Sequence, residues 1–270
     1  MKQELTKIIK PIVKWYQSQE KTLPWKQDKE PYHVWVSEIM LQQTRIEAVR
    51  KYYTRFMQEL PTIQDLANVS EEKLLKLWEG LGYYSRARNL KKAAIQIEND
   101  YQGKMPTSYL ELLKLSGIGE YTAGAIASIS YQEKVPAVDG NVLRVISRVL
   151  ASKEDVLLPE TKRKITKKLL EIMPEEAGDF NEGLMELGEK ICIPNTTPLC
   201  EKCPIKEFCI AKKENLTTKL PIRIKKQKRK IEKRTVFIFK YKEKIAIKKR
   251  EKTGILANLY EFPNILRRNI

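Results

Sequence analysis

The chain has 270 residues, 42% of them hydrophobic, and carries 51 Lys and Arg against 34 Asp and Glu, a formal charge of +17. That is enough apolar material for one large domain plus part of another, and no apolar run is long enough to span a bilayer, so no membrane partner is expected. The N-terminal stretch MKQELTKIIKPIVKWYQ has neither the continuous apolar core nor the small-residue cleavage site of a secretion signal, which points to a cytoplasmic protein. The basic excess suits a polyanion, with nucleic acid the first candidate.

Residues 1 to about 212 read as helices joined by short loops. From Val34 to Leu60, Val36, Ile39, Met40, Ile46, Val49, Tyr53, Phe56 and Leu60 recur at helical spacing, and Pro61 ends the run. Ser70 is placed to cap a short helix that carries Glu71 and Glu72 at the positive end of its dipole and stops at Gly80-Leu81-Gly82. Further helices are expected over 85–100, 108–115, 121–131, 140–151, 160–173 and 179–191. No period-2 alternation interrupts them, so the fold class is all-α.

The composition changes after that. Between Lys219 and Arg234, nine of sixteen residues are Lys or Arg, and Pro221 breaks any helix, which reads as an exposed linker. Beyond it, 235–241 and 244–250 flank a short polar turn and predict a β-hairpin. A lone hairpin is marginal in water, so this tail reads as the opening of a β domain cut off after its first strands.

The only four cysteines, Cys192, Cys200, Cys203 and Cys209, lie as C-x7-C-x2-C-x5-C within eighteen residues. Four thiolates so close together can surround one soft metal centre, an iron–sulfur cluster or a tetrahedral zinc. Disulfides would need an oxidising compartment, for which the chain gives no sign.

A second motif, Leu115-Ser-Gly-Ile-Gly-Glu-Tyr-Thr-Ala-Gly-Ala, lies between two predicted helices. Gly117 and Gly119 allow a tight turn, and the free N–H groups of the following helix suit a phosphate, whose contact positions a nucleic acid without reading its bases. An ordinary helix–helix turn would also use such glycines. Here, however, Val138-Asp139-Gly-Asn-Val142 follows about twenty residues later, and then the cysteines.

In this order the chain resembles the helix–hairpin–helix DNA glycosylases, and within them the adenine DNA glycosylase branch. The matching stretches are Leu23-Pro-Trp25, Pro31-Tyr-His-Val-Trp-Val-Ser-Glu-Ile-Met-Leu-Gln-Gln-Thr44, Trp78-Glu-Gly-Leu-Gly-Tyr-Tyr-Ser-Arg-Ala-Arg-Asn89, the hairpin 115–125, Pro136-Ala-Val-Asp-Gly-Asn-Val142 and Phe180-Asn-Glu182 through Cys209. Thr253-Gly-Ile-Leu-Ala-Asn-Leu-Tyr-Glu-Phe-Pro263 resembles the start of the family's nudix-like C-terminal domain. The first cysteine spacing departs from the family by one extra residue, so 193–199 must bulge.

The resemblance implies roles. Glu38 is the general acid that protonates adenine; Trp35, Val36, Ile39, Met40 and Leu41 around it make an apolar neighbourhood in which a carboxyl holds its proton. Asp139 faces the sugar and the oxocarbenium ion developing on it, and can also cap the helix that starts at Gly140. Tyr121 stands where glycosylases that also cut the backbone carry a Schiff-base lysine, which implies a monofunctional enzyme. Asn141 and Glu182 accompany the two carboxyls. Gln42 and Gln43, with Tyr83, correspond to DNA contacts, Gln43 and Tyr83 being inserted into the duplex as adenine flips out. Gly117 and Gly119 hold the DNA backbone. For the cysteines the implied group is a 4Fe-4S cluster of structural role, with zinc as the alternative.

The expected organisation is a two-lobed helical glycosylase module over 1–212, one lobe about 29–134 with the hairpin and the other 1–28 plus 135–212 with the cluster. A basic linker over 213–234 and a truncated nudix-like β segment over 235–270 follow. The expected partner is double-stranded DNA containing adenine opposite 8-oxoguanine or guanine, bound by a monomer. The alternatives are an endonuclease III-like enzyme acting on damaged pyrimidines and a DNA-binding iron–sulfur protein without catalysis.

Overall fold

The structure, a computed structural model, describes residues 2–224, 231–251, 253–254 and 256–267. It divides into two compact units, Met1–Ile224 and Lys225–Ile270. The first is helical: α1 (Lys2–Gln17), α2 (Pro31–Leu41), α3 (Ile46–Glu59), α4 (Ile63–Asn68), α5 (Glu71–Leu77), α6 (Ser85–Tyr101), α7 (Tyr109–Leu112), α8 (Glu120–Tyr131), α9 (Gly140–Val149), α10 (Pro159–Leu170), α11 (Ala177–Lys190) and α12 (Ile210–Lys213). Among the described residues no helix is long and apolar enough to cross a membrane.

Apolar residues of this unit gather in two cores. One joins α2 to α8 around Trp35, Phe56 and Trp78. The other brings Leu5, Ile8 and Ile12 of α1 back onto Val145 and Ile146 of α9 and onto Phe180, Leu184 and Leu187 of α11. Helix α2 is buried from Val34 to Met40 with no polar face to speak of, which is the signature of a helix enclosed on all sides. Helix α8 is its neighbour and is built of small residues, buried from Thr122 to Ile129.

The apolar run over 34–60 is two helices, a correction to the single stretch its periodicity suggests. The chain breaks at 42–45, where Gln43 adopts a left-handed backbone with φ 58°. Hydrophobic spacing is blind to this break because Ile46 resumes the pattern. The helices expected over 85–100, 121–131, 140–151 and 179–191 are α6, α8, α9 and α11, with ends moved by at most two residues. The expected 108–115 helix is the single turn α7, capped by Ser108, which accepts from the Glu111 N–H. Helix α4 has no counterpart in the sequence reading, although Thr62 and Asp65 form a reciprocal capping box at its start.

The stretch read as linker from residue 213 is packed on the helical unit as far as Ile224. Leu220 is buried, its carbonyl accepts from Arg148 Nε at 2.9 Å, and Val156 N donates to Ile222 O at 3.1 Å. Of the rest, 225–230 lies outside the described residues, and 231–234 belongs to the second unit, where Arg234 opens a strand and not a linker.

Among its described residues the second unit has six short strands in three antiparallel pairs. Of the expected hairpin only β2 (Lys240–Tyr241) and β3 (Lys244–Ile245) pair, around a turn in which Lys242 has φ 52°. The flanking residues diverge: β1 (Arg234–Val236) pairs with β6 (Asn264–Leu266), and β4 (Lys248–Lys249) with β5 (Tyr260–Glu261). The later segment thus takes up the edges that a lone hairpin would leave open.

Candidate active site

A cavity of about 730 Å³ in the helical unit is lined by Glu38, Tyr121, Asp139, Asn141 and Glu182, and by Gln42 and Gln43 at its rim. Four helices, α2, α8, α9 and α11, supply or border these residues. Glu38 comes from the enclosed helix α2, which is why its carboxyl is only 8% exposed. Burial raises Glu38 to about 7; the Tyr121 hydroxyl bonded to its Oε2 draws it down, while Glu182 and Asp139 push it further up. A carboxyl so placed holds a proton near neutral pH and can deliver it to a leaving base.

Tyr121 projects from the first turn of α8, and its hydroxyl meets both Glu38 Oε2 and, at 3.1 Å, the Met185 sulfur of α11. Desolvation and the surrounding carboxyls hold that phenol well above its ordinary value, so it stays a donor. Asp139 caps α9: one oxygen accepts from Val142 N at 2.7 Å and the other from Asn141 Nδ2 at 2.8 Å. Desolvation raises its carboxyl and these bonds oppose the rise. The capping role and the cavity position therefore coincide in one residue.

Asn141 is fixed in turn by Arg144, whose Nη2 donates to Asn141 Oδ1 at 2.9 Å and to Gly188 O at 2.7 Å. A side chain at Gly188 would meet Asn141 Cβ at 2.7 Å, so glycine is what lets α11 approach α9 here. On the opposite wall Lys26 Nζ bonds Glu186 Oε2 at 2.6 Å and lies 3.8 Å from Glu182 Oε1, over the ring of buried Tyr16. Lys26, Arg144, Met185 and Glu186 were not singled out from the sequence. Arg144 and Glu186 look like the solvated face of an amphipathic helix until the partners that cover them, Gly188 and Cys192 for the one and Lys26 for the other, are known.

Tyr83, Gly117 and Gly119 are not in the cavity lining. Tyr83 is 60% exposed on the loop after α5, with a left-handed φ of 47°. Gly117 has φ 77°, and a side chain there would strike Asn89. Gly119 has an ordinary φ and open space before it, at the N-terminus of α8. The one histidine, His33, bonds Asp28 at the surface.

The four cysteines are unpaired, half-buried, and line one hollow walled by Val145, Val149, Leu187 and Ile205. Burial pushes the Cys203 thiol up to about 12 and those of Cys200 and Cys209 in the same direction. In the loop between Cys192 and Cys200, Asn195 adopts a left-handed backbone at φ 62°. Cys192 is held firmly: its carbonyl accepts from Arg144 Nε and Arg148 Nη1, and its sulfur from Arg148 Nη1 at 3.2 Å. A soft donor set in an apolar hollow suits a metal–thiolate group. Among the described residues no three His, Cys, Asp or Glu stand ready to hold a single metal ion. Of the lysines around the cysteines, Lys206 and Lys212 both bind Glu201.

The family profile of HhH-GPD superfamily base excision DNA repair proteins matches residues 36–175. An adenine DNA glycosylase of Buchnera aphidicola (subsp. Schizaphis graminum) is 40% identical over 94% of this chain and 73% of its own length. The human adenine DNA glycosylase is 42% identical over 77% of this chain, which spans only 40% of that longer protein. Among solved structures, a thermostable thymine-DNA glycosylase superposes with a TM-score of 0.70 and 27% identity, over 78% of this chain and 98% of that one. The chain belongs to the HhH-GPD superfamily of base excision DNA repair proteins and, by its 40% likeness to a relative it largely covers, to the adenine DNA glycosylases.

Proposed function

We propose that the protein hydrolyses the N-glycosidic bond of adenine mispaired with 8-oxoguanine or guanine in duplex DNA, acting as a monomer in the cytoplasm and without cutting the backbone. The observation that carries this reading is Glu38, a carboxyl raised to about 7 inside a cavity that also holds Asp139. Glu38 protonates the extruded base and makes it a leaving group. Asp139, fixed by Val142 N and Asn141, faces the sugar and balances the positive charge that grows as the bond breaks. Tyr121 keeps Glu38 oriented and offers no amine to the sugar, so water completes the reaction. Glu182, 3.8 Å from Lys26 Nζ, is the residue we assign to holding the attacking water.

Gln43 and Tyr83 enter the duplex and offset part of the few kcal/mol that flipping requires, with Gln42 contacting the DNA beside them. Gly117 and Gly119 present the α8 N-terminus to a phosphate. The cysteines would hold a 4Fe-4S cluster, which shapes the 192–209 loop and takes no part in hydrolysis. The four thiols line one apolar hollow, which suits a soft metal–thiolate group, and zinc is the alternative. A single-turnover assay on duplexes carrying adenine opposite 8-oxoguanine, guanine, thymine or cytosine tests the reading. Fast excision is expected for the first two only. Equal rates on all four, or none, would reject the mispair specificity or the activity itself.

A further inference from the structure

Arg86 is a buried guanidinium that the chemistry above does not use. It is only 9% exposed and sits in the first turn of α6. Its two terminal nitrogens divide their bonds between two separate loops. Nη1 donates to Ile39 O at 2.7 Å, Met40 O at 3.0 Å and Gln42 O at 2.8 Å. Those are the carbonyls that α2 leaves without partners at its C-terminus, where the helix dipole also favours a cation. Nη2 donates to Leu81 O at 3.1 Å and Gly82 O at 3.2 Å, and reaches Thr44 Oγ1 at 3.5 Å. The guanidinium lies 5.4 Å from the Trp78 ring and 5.7 Å from that of Tyr83.

The two loops share a further property. Gln43 on one and Tyr83 on the other both hold left-handed backbones, at φ 58° and 47°. For residues with a side chain this conformation carries strain and persists only where the surroundings impose it. Arg86 bonds the residues on either side of Gln43 and the two residues just before Tyr83. Its Nε is buried without a partner, so the side chain has given up solvation to span both loops.

We propose that Arg86 is a positioning residue that locks the 42–44 loop and the 80–83 loop into one rigid wedge, so that Gln43 and Tyr83 enter the duplex at a fixed spacing. The proposal rests on the reading of Gln43 and Tyr83 as the inserted residues. A planar fork with two nitrogen ends can serve two loops at once, and the single ammonium of lysine cannot.

The test compares Arg86→Lys and Arg86→Met, each in the wild-type and Tyr83→Ala backgrounds, using the full chain. Three quantities are read: single-turnover adenine excision, fluorescence of 2-aminopurine at the flipped position, and amide exchange. In the wild-type background Arg86→Lys should lower excision and the flipping signal together by about tenfold. In the Tyr83→Ala background the same change should cost less than about twofold, because the element it acts through is gone. Amides of 42–44 and 80–84 should exchange faster while those of α8 do not. Equal losses in both backgrounds, or faster exchange across the whole helical unit, would reduce Arg86 to general stability and overturn the proposal. If Arg86→Met fails to fold, Arg86→Lys carries the comparison. Full activity of Tyr83→Ala alone would overturn the wedge reading and the proposal with it, an outcome distinct from the equal-loss result.

Discussion

Tyr121 donates its hydroxyl to Glu38 Oε2, so the residue where related enzymes would place an amine is tied to the acid itself. That bond favours the charged carboxylate and works against the burial that raises Glu38 to about 7. Because the acid must carry its proton to act, excision is expected to fall as pH rises through about 7. Removing the bond with Tyr121→Phe lifts the Glu38 value further, so the alkaline limb should move to higher pH even as the rate drops from lost orientation. A limb that moves to lower pH, or does not move, would contradict the assignment.

Glu38→Gln should lower single-turnover excision about 10²-fold or more while leaving duplex binding largely intact. The same variant makes a stability prediction. The Glu38 value is raised from its ordinary 4.5 to about 7. Below pH 4.5 the carboxyl is protonated in both folded and unfolded chains and costs nothing. Between 4.5 and 7 the unfolded chain releases the proton and the folded one keeps it, so stability is lost as pH rises, with the full cost of roughly 3 kcal/mol reached above 7. Thermal unfolding should therefore show Glu38→Gln gaining on the wild type between pH 5 and pH 8. A difference that stays constant over that range would show that Glu38 titrates normally.

Borohydride should trap little covalent enzyme–DNA adduct, since the hairpin presents Tyr121 and no amine. Tyr121→Lys places an amine in the same cavity as Glu38 and Asp139 and should raise trapping markedly. Strong trapping by the wild type would point to another cavity lysine, Lys26 first, and would end the monofunctional reading.

The roles proposed for Glu38 and Asp139 come from the family resemblance, while the apolar neighbours of the glutamate and the helix-opening position of the aspartate are legible locally. The enclosed helix α2 was legible too, as an apolar run without a polar face. The break at 42–45 was not, since nothing in the apolar spacing marks it and the carbonyls it frees are satisfied by Arg86, over forty residues away. Arg144, Arg148 and Lys26 escaped notice for the same reason. Charged residues in and beside helices look solvated until the fold covers them, and only the tertiary partners identify Arg144 and Arg148 as buried and Lys26 as partly so.

Affinity for undamaged duplex should fall linearly with salt on logarithmic axes, as the +17 charge implies. Arg223 tests where that charge acts. It lines a hollow of about 360 Å³ with Arg144 and Arg148, beside Thr196, Thr197 and Thr218, and no carboxylate pairs with these three arginines among the described residues. Arg223→Gln should reduce the salt slope by about 1, the signature of one lost phosphate contact. An unchanged slope would place Arg223 away from the DNA.

The cysteines lead to the last expectation through the path that joins them to the cavity. Arg144 donates to the Cys192 carbonyl and to Asn141, and Asn141 donates to Asp139. Protein prepared under iron-replete conditions should be yellow-brown and contain about four irons per chain with acid-labile sulfide. Cys203→Ser removes a half-buried sulfur from the hollow and should lose both metal and the ordered 192–209 loop. Loosening that loop frees the Cys192 carbonyl, and with it Arg144 and Asn141, so excision should fall more than duplex binding does. Cys192→Ser should be milder, because Arg144 and Arg148 hold its backbone without the sulfur. One zinc and no sulfide would overturn the cluster and leave the acid and the aspartate in place. Loss of metal with unchanged excision would show that the Arg144 bonds do not carry the effect.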